Sequence, residues 1–238
     1  IGRIHDIIRR NRSFLITSHE RLDGDALGSE LALCEMLVNL GKKAVVYNQD
    51  RTPGHYRFLP GSEAILNRLP DTADFDVAFV LDCSELERVG AEAGKIRQIK
   101  TMVNIDHHVS NGGFCEVSLI DPRASSTGEL LFRILAAADL PLTRGIATNL
   151  YAAILTDTGG FRYGNTTPES FAAAGRLLES GASPQWISEN VYENNPVVKI
   201  RLLSRVLETL SFDCEGRVGS MVVSRESLEK TGALPEHT

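Results

Sequence analysis

The chain reads as an α/β protein: a mainly parallel five-stranded sheet with flanking helices, then a linker helix and the opening of a second α/β domain. Three observations predict this. Short β-rich apolar runs near residues 13–18, 43–48, 75–81, 101–105 and 115–120 are separated by segments long enough for crossovers, the pattern of βαβ units. After residue 126 the apolar positions switch to helical spacing. Several runs also stop in turns rich in His and Asp, and the carboxyl ends of strands are where open α/β sheets hold ligands.

The first run, Ser13-Phe-Leu-Ile-Thr-Ser-His19, ends in the turn His19-Glu-Arg-Leu-Asp23-Gly-Asp25-Ala-Leu-Gly28-Ser29, after which apolar residues recur at helical spacing from Leu27 to Leu40. Phe75-Asp-Val-Ala-Phe-Val-Leu81 is a buried strand, followed by Asp82 before the polar Ser84-Glu85. Thr101-Met-Val-Asn-Ile105 is another, closed by Asp106-His107-His108. Helices follow over Ser126 to Ala138, Thr143 to Leu155, Pro168 to Ser180 and Pro184 to Glu193, with Gly181 as a C-terminal stop. Ala152-Ala-Ile-Leu155 runs into Thr156-Asp157-Thr158-Gly159-Gly160, adding one more carboxylate at the end of an apolar segment. The polar break Glu193-Asn-Asn-Pro196 marks the domain boundary, giving residues 1–194 and 195–238. Beyond it, an amphipathic helix from Pro196 to Leu210 leads to a hairpin, Leu210-Ser-Phe and Val218 to Val223 around Glu215-Gly216.

Composition narrows the function. The net charge of −6 argues against a broad footprint on long duplex nucleic acid, which needs many Lys and Arg contacts to phosphate. A short oligonucleotide or mononucleotide fits better, because bound cations neutralise its few phosphates. Cys34, Cys83, Cys115 and Cys214 are scattered without C-x-x-C spacing and read as small core residues in a reducing compartment. No apolar stretch approaches the ~20 residues of a membrane span, and no leader is expected, so a cytoplasmic enzyme is the expectation.

The candidate ligands are His19, Asp23, Asp25, Asp82, His107 and Asp157. Imidazole nitrogen and carboxylate oxygen are what borderline-to-hard divalent ions such as Mn²⁺ accept. Six such groups without thiolates suit a two-metal site better than a structural zinc, which takes four ligands and often Cys. Alone, His19 would be a satisfied polar residue, Asp23-Gly-Asp25 a turn and Asp82 a strand-end cap. Together and in order, they read as one site.

His19-x-x-x-Asp23-Gly-Asp25-Ala-x-Gly28-Ser29, Asp82, Asp106-His107-His108 and Asp157-Thr-Gly-Gly resemble, in order, the four motifs of the DHH phosphoesterase superfamily. The flanks Ser18 to Ser29, Asp121-Pro-x-Ala-Ser-Ser-Thr-Gly-Glu129 and Thr156-Asp-Thr-Gly-Gly-Phe-Arg-Tyr163 look most like its bacterial nanoRNase and pAp phosphatase branch. Leu22 stands where the family usually has proline. The Gly-Gly-Gly-His stretch of the branch's second domain does not occur before Thr238, so a fragment is expected.

The resemblance implies two divalent metal ions, most simply Mn²⁺. If strand order is 2-1-3-4-5, then His19, Asp23 and Asp82 share one ion and Asp25, Asp82, His107 and Asp157 the other, with Asp82 bridging, as the resemblance also implies. His108 is expected to face the substrate phosphate, with Asp106 orienting an imidazole. Arg88 and Arg162 are candidates for phosphate, as are Ser125, Ser126 and Thr127, which open a helix with N–H groups to offer. The expected substrates are short RNA or 3′-phosphorylated nucleotides such as pAp. Cyclic di-AMP or pApA, pyrophosphate, and a nucleotide-binding module without catalysis are the alternatives. Dimerisation is a family-level expectation.

Overall fold

Five parallel strands form one sheet in the order β2-β1-β3-β4-β5: β1 Ser13–Thr17, β2 Lys43–Val46, β3 Val77–Leu81, β4 Thr101–Asp106 and β5 Val117–Ile120. This is the 2-1-3-4-5 order, and it makes β1 and β3 neighbours, with Phe14 opposite Val77 and Thr17 opposite Val80. The computed structural model describes residues 1–69 and 74–234 and divides into two units, Ile1–Ile187 and Ser188–Thr238. Residues 235–238 of the expected second domain lie outside the described residues.

The central strands are buried on both faces, which is why they read as continuous apolar runs rather than alternating ones. One face carries Leu15, Ala78 and Val80 against the 3-10 turn Leu86–Val89 and helix Ala93–Ile96. The other carries Phe14, stacked on Phe79, with Ile16, Leu81, Val103 and Ile105. Three helices matter for the site: α2 (Gly24–Asn39), α4 (Thr127–Ala137) and α5 (Arg144–Asp157), with α1 taken as Gly2–Arg10 and α3 as Ala93–Ile96. They pack on one another, and α2 also meets β1, β2 and β3. The helix α1 has no counterpart in the sequence reading. It forms because Ile4 and Ile8, one turn apart, are buried while Arg3, Arg9 and Arg10 stay in water.

Two more helices, α6 (Pro168–Glu179) and α7 (Pro184–Ser188), complete the first unit's chain. The expected helix Pro184 to Glu193 is only partly regular, because Glu189–Glu193 widens into a π-helical turn. In the second unit, α8 (Val197–Leu207) packs Leu202 and Val206 with Leu228 and Ala233. An antiparallel hairpin, β6 Ser211–Asp213 and β7 Val218–Ser220, and helix α9 (Arg225–Thr231) follow. The hairpin's turn runs through Cys214, which is exposed; of the four free cysteines only Cys83 is a buried core residue, so the core reading of Cys214 is corrected.

Candidate metal centre

The turn after β1 is built to aim one imidazole nitrogen inward. The Ser18 hydroxyl donates to Leu81 O at 2.7 Å, Glu20 N donates to Arg88 O at 2.7 Å, and Arg21, with φ of 61°, donates its N–H to Asp50 Oδ2 at 2.6 Å. These bonds, with Leu22 buried, fix a turn that has no proline. His19 Nδ1 donates to Glu20 O at 2.6 Å, leaving Nε2 to face Asp82 Oδ2 at 3.4 Å and Asp23 Oδ2 at 3.9 Å. Asp23 caps α2 through its other oxygen, which accepts from Ala26 N.

Asp82 ends β3 in the left-handed region, with φ of 50°, a conformation costly for a residue with a Cβ and held by the sheet through its N–H to Ile105 O. The turn brings its carboxylate back over the strand ends. Asp82 Oδ1 lies 3.6 Å from His107 Nε2, while Oδ2 faces His19. At the end of β4, Asp106 is fully buried and accepts from His107 N, from His108 Nδ1 at 2.7 Å and from Asn111 Nδ2 at 2.6 Å. Asn111 is bonded in turn to Asn104, whose own amide reaches Val80 O and Cys83 O. With Nδ1 committed to Asp106, His108 presents Nε2 from a side chain that is 39% exposed.

Asp25 and Asp157 arrive on helices, not on strand ends. Both positions depend on α2 and α5 lying unusually close. A Cβ on Gly28 would collide with Asn149 O, and one on Gly24 with the Thr156 side chain, so the two glycines let Asp25 and the end of α5 meet. His107 Nε2 then faces Asp25 Oδ2 at 3.7 Å and Asp157 Oδ2 at 3.6 Å. Asn165, which the sequence reading does not single out, donates to Asp157 Oδ2 and to Ser125 O.

The helix start at Ser125-Ser126-Thr127 differs from expectation. Its N–H groups are not free: Thr127 N and Gly128 N donate to the two oxygens of Asp25, at 2.7 and 2.9 Å. Ser126 caps α4, and Ser125 donates twice to Glu129. Thr127 Oγ1 donates to Asp82 Oδ1 at 3.0 Å. All three residues are fully buried, so the N–H groups of this helix start hold Asp25, and the Thr127 hydroxyl holds Asp82, rather than an incoming phosphate. The sequence signal was the same motif; only its target was invisible.

Among the described residues, three groups of side chains therefore have ligand atoms within 4.8 Å of one another: His19, Asp23 and Asp82; Asp25, His107 and Asp157; and Asp82, His107 and His108. The charges are in tension. Burial, then the charges of Asp82, Asp157 and Asp23, push the Asp25 carboxyl well above its ordinary range. Desolvation, then the charge of Asp82, also raises the Asp23 carboxyl, and burial raises Asp157 to about 6. Asp82 moves the other way: although burial opposes it, the hydrogen bond from His19 and the charges of His108 and His107 hold it low. Four packed carboxylates are costly without positive charge, and two divalent cations would balance them. The hydrogen bond to Asp106 raises His108.

Arg88 and Arg162 are both exposed, and the Arg88 charge is felt at His108. Arg162 Nε donates to Gly159 O, two residues beyond Asp157. The Asp121 carboxylate pairs with Arg123 and Arg133, while its N–H donates to Asp106 O at 3.2 Å.

A model of the N-terminal domain of the DHH family matches residues 13–154, which spans all six candidate metal ligands except Asp157. The chain belongs to the DHH family. Among DHH relatives it is 32% identical to the bifunctional oligoribonuclease and PAP phosphatase NrnA of Thermus thermophilus, over 92% of this chain and 64% of that protein. It is 28% identical to a probable bifunctional oligoribonuclease and PAP phosphatase of Streptococcus mutans, over 94% of this chain and 70% of the other. An exopolyphosphatase-related protein of Bacteroides fragilis superposes with a TM-score of 0.92 at 27% identity, covering 99% of this chain and 72% of that one. The chain thus spans about two thirds of the length of the curated relatives it matches.

Proposed function

We propose that residues 1–194 form the catalytic metal domain of a two-metal phosphoesterase that hydrolyses short oligoribonucleotides, 3′-phosphoadenosine 5′-phosphate, or both, and that residues 195–238 open its substrate-binding domain. One observation carries this: Asp82 directs one oxygen to His19 and the other to His107, so a single buried carboxylate joins two sets of ligands. His19, Asp23 and Asp82 would hold one cation, and Asp25, Asp82, His107 and Asp157 the other. The mixed imidazole and carboxylate donors suit Mn²⁺. Two such ions, when bound, supply Lewis acidity toward water and a phosphoryl oxygen.

The chain's own residues divide the rest. Thr127, Gly128 and Asn165 fix the directions of Asp82, Asp25 and Asp157. Asp106 anchors His108 through Nδ1 and raises its pKa, which favours the imidazolium whose Nε2–H would stabilise a phosphate or protonate the leaving oxygen. Arg88 and Arg162, exposed near the cluster, would bind substrate phosphate. No helix among the described residues is long and apolar enough to cross a membrane, and we read the protein as cytoplasmic. The substrate class follows the two NrnA-type relatives.

The test measures phosphate and nucleotide release by the full-length protein with Mn²⁺, on pAp and on di- to penta-ribonucleotides, before and after chelation. Turnover that chelation abolishes and Mn²⁺ restores is expected. No turnover on any of these substrates overturns the assignment. Cleavage of pApA, cyclic di-AMP or pyrophosphate instead reassigns the substrate.

A further inference from the structure

Between Asp157 and α6 the chain makes a loop, Thr158-Gly-Gly-Phe-Arg-Tyr-Gly164, whose shape is over-determined. Gly159, Gly160 and Phe161 are all left-handed, with φ of 58°, 73° and 61°. For Phe161 that conformation is strained, and strain of this kind persists only where surrounding contacts enforce it. They do: the Phe161 ring stacks on Phe171 at 5.0 Å and lies 6.1 Å from Tyr151. Arg162 N and Tyr163 N both donate to Thr158 O, at 2.9 and 3.0 Å, and Phe161 N donates to the Thr158 hydroxyl.

The consequence of this wrapping is the position of Tyr163. Its ring lies against Gly159, so closely that a Cβ there would fall inside the ring atoms. That side of the phenol is covered by backbone, yet the residue is 60% exposed. A single exposed aromatic is ordinary surface. This one is held rigid by a strained turn that starts just after a carboxylate of the metal cluster, and it adjoins the exposed Arg162. A fixed ring with one side backed by protein and the other in water offers a π-face at little entropic cost to whatever stacks on it.

We infer that Tyr163 is a stacking platform for the nucleobase of the nucleotide whose phosphate meets the carboxylate and imidazole cluster, which rests on the phosphoesterase reading above. Such a platform favours nucleotides over base-free phosphate esters without choosing among bases, because every base has a π-face. The ring rather than the hydroxyl does this, so Tyr163→Phe keeps it.

The experiment uses the full-length protein, with metal content measured for each variant. It compares kcat/KM for a diribonucleotide with kcat/KM for the same ester carrying an abasic residue, and records quenching of a 2-aminopurine nucleotide on binding. Tyr163→Ala is expected to lower the ratio of the two by about 5-fold to about 150-fold, the range of base stacking on an aromatic side chain. Its 2-aminopurine quench should vanish, and Tyr163→Phe should retain both properties. A wild-type preference for the base that Tyr163→Ala leaves unchanged overturns the platform while the phosphoesterase reading stands. If the wild type turns over neither ester, the phosphoesterase reading falls. The quench then decides the platform alone: lost in Tyr163→Ala it is supported, and unchanged or absent it is overturned.

Discussion

Replacing Asp157 with asparagine should change stability in opposite directions depending on metal. In the metal-free protein the Asp157 carboxyl is raised from 3.8 to about 6, first by burial and then by Asp82 and Asp23, against the opposing charge of His107. Because the folded-state value lies above the unfolded one, the contribution of this group is intact below about pH 4 and is lost as pH rises through about 6. At roughly 1.4 kcal/mol per pH unit, the difference between 3.8 and about 6 amounts to about 3 kcal/mol above that window. An asparagine at this position would carry no charge to desolvate and would still accept from Asn165 Nδ2, which lies 3.1 Å from Asp157 Oδ2. The chelated variant should therefore melt roughly 6–12 °C above chelated wild type at pH 8, at about 2–4 °C per kcal/mol for a chain this size. The gap should shrink to about a third of that at pH 4.5, where much of the carboxyl is already protonated in the folded state. With saturating Mn²⁺ the order should reverse, because the variant has lost a ligand and gains less from binding. Thermal melts from pH 4.5 to 8, with chelator or with Mn²⁺, provide the measurement. A chelated variant less stable than wild type at pH 8, or equal gains from Mn²⁺ in both, would refute the reasoning.

Other substitutions separate the roles within the cluster. Asp82→Ala deprives both ligand sets of their shared carboxylate, so elemental analysis should show most metal lost and assays no turnover. His108→Ala should keep near-normal metal and lose ~10²–10⁴ in rate; equal metal loss in the two variants would make His108 a ligand. Thr127→Val removes the hydroxyl bond to Asp82 while leaving the N–H bond to Asp25, so metal affinity should weaken ~10–100-fold by titration, the usual cost of losing a group that orients a ligand. Gly28→Ala drives a methyl into Asn149 O and should destabilise by ~1–3 kcal/mol in urea unfolding, with metal binding weakened because α2 and α5 carry Asp25 and Asp157.

By itself the sequence determined the sheet and the inventory of chemical groups. Residues 13–17, 77–81 and 101–106 are apolar runs that local pattern identifies, and the residues just past them, His19, Asp82 and His107, follow from where the runs stop. Helix α1 escaped because its apolar signal is two isoleucines among charges. Only the tertiary structure decided what those groups touch. The N–H groups that open α4 look free in sequence, but their partner Asp25 lies 102 residues away from Thr127, a pairing no periodicity encodes. The same holds for Asn165 on Asp157, for the left-handed Asp82 that divides its oxygens between two histidines, and for the Tyr163 ring laid over Gly159. Local pattern records which face of an element is buried. Hydrogen-bond direction and close packing depend on where the rest of the chain comes to lie, and the glycines that let α2 meet α5 set that distance.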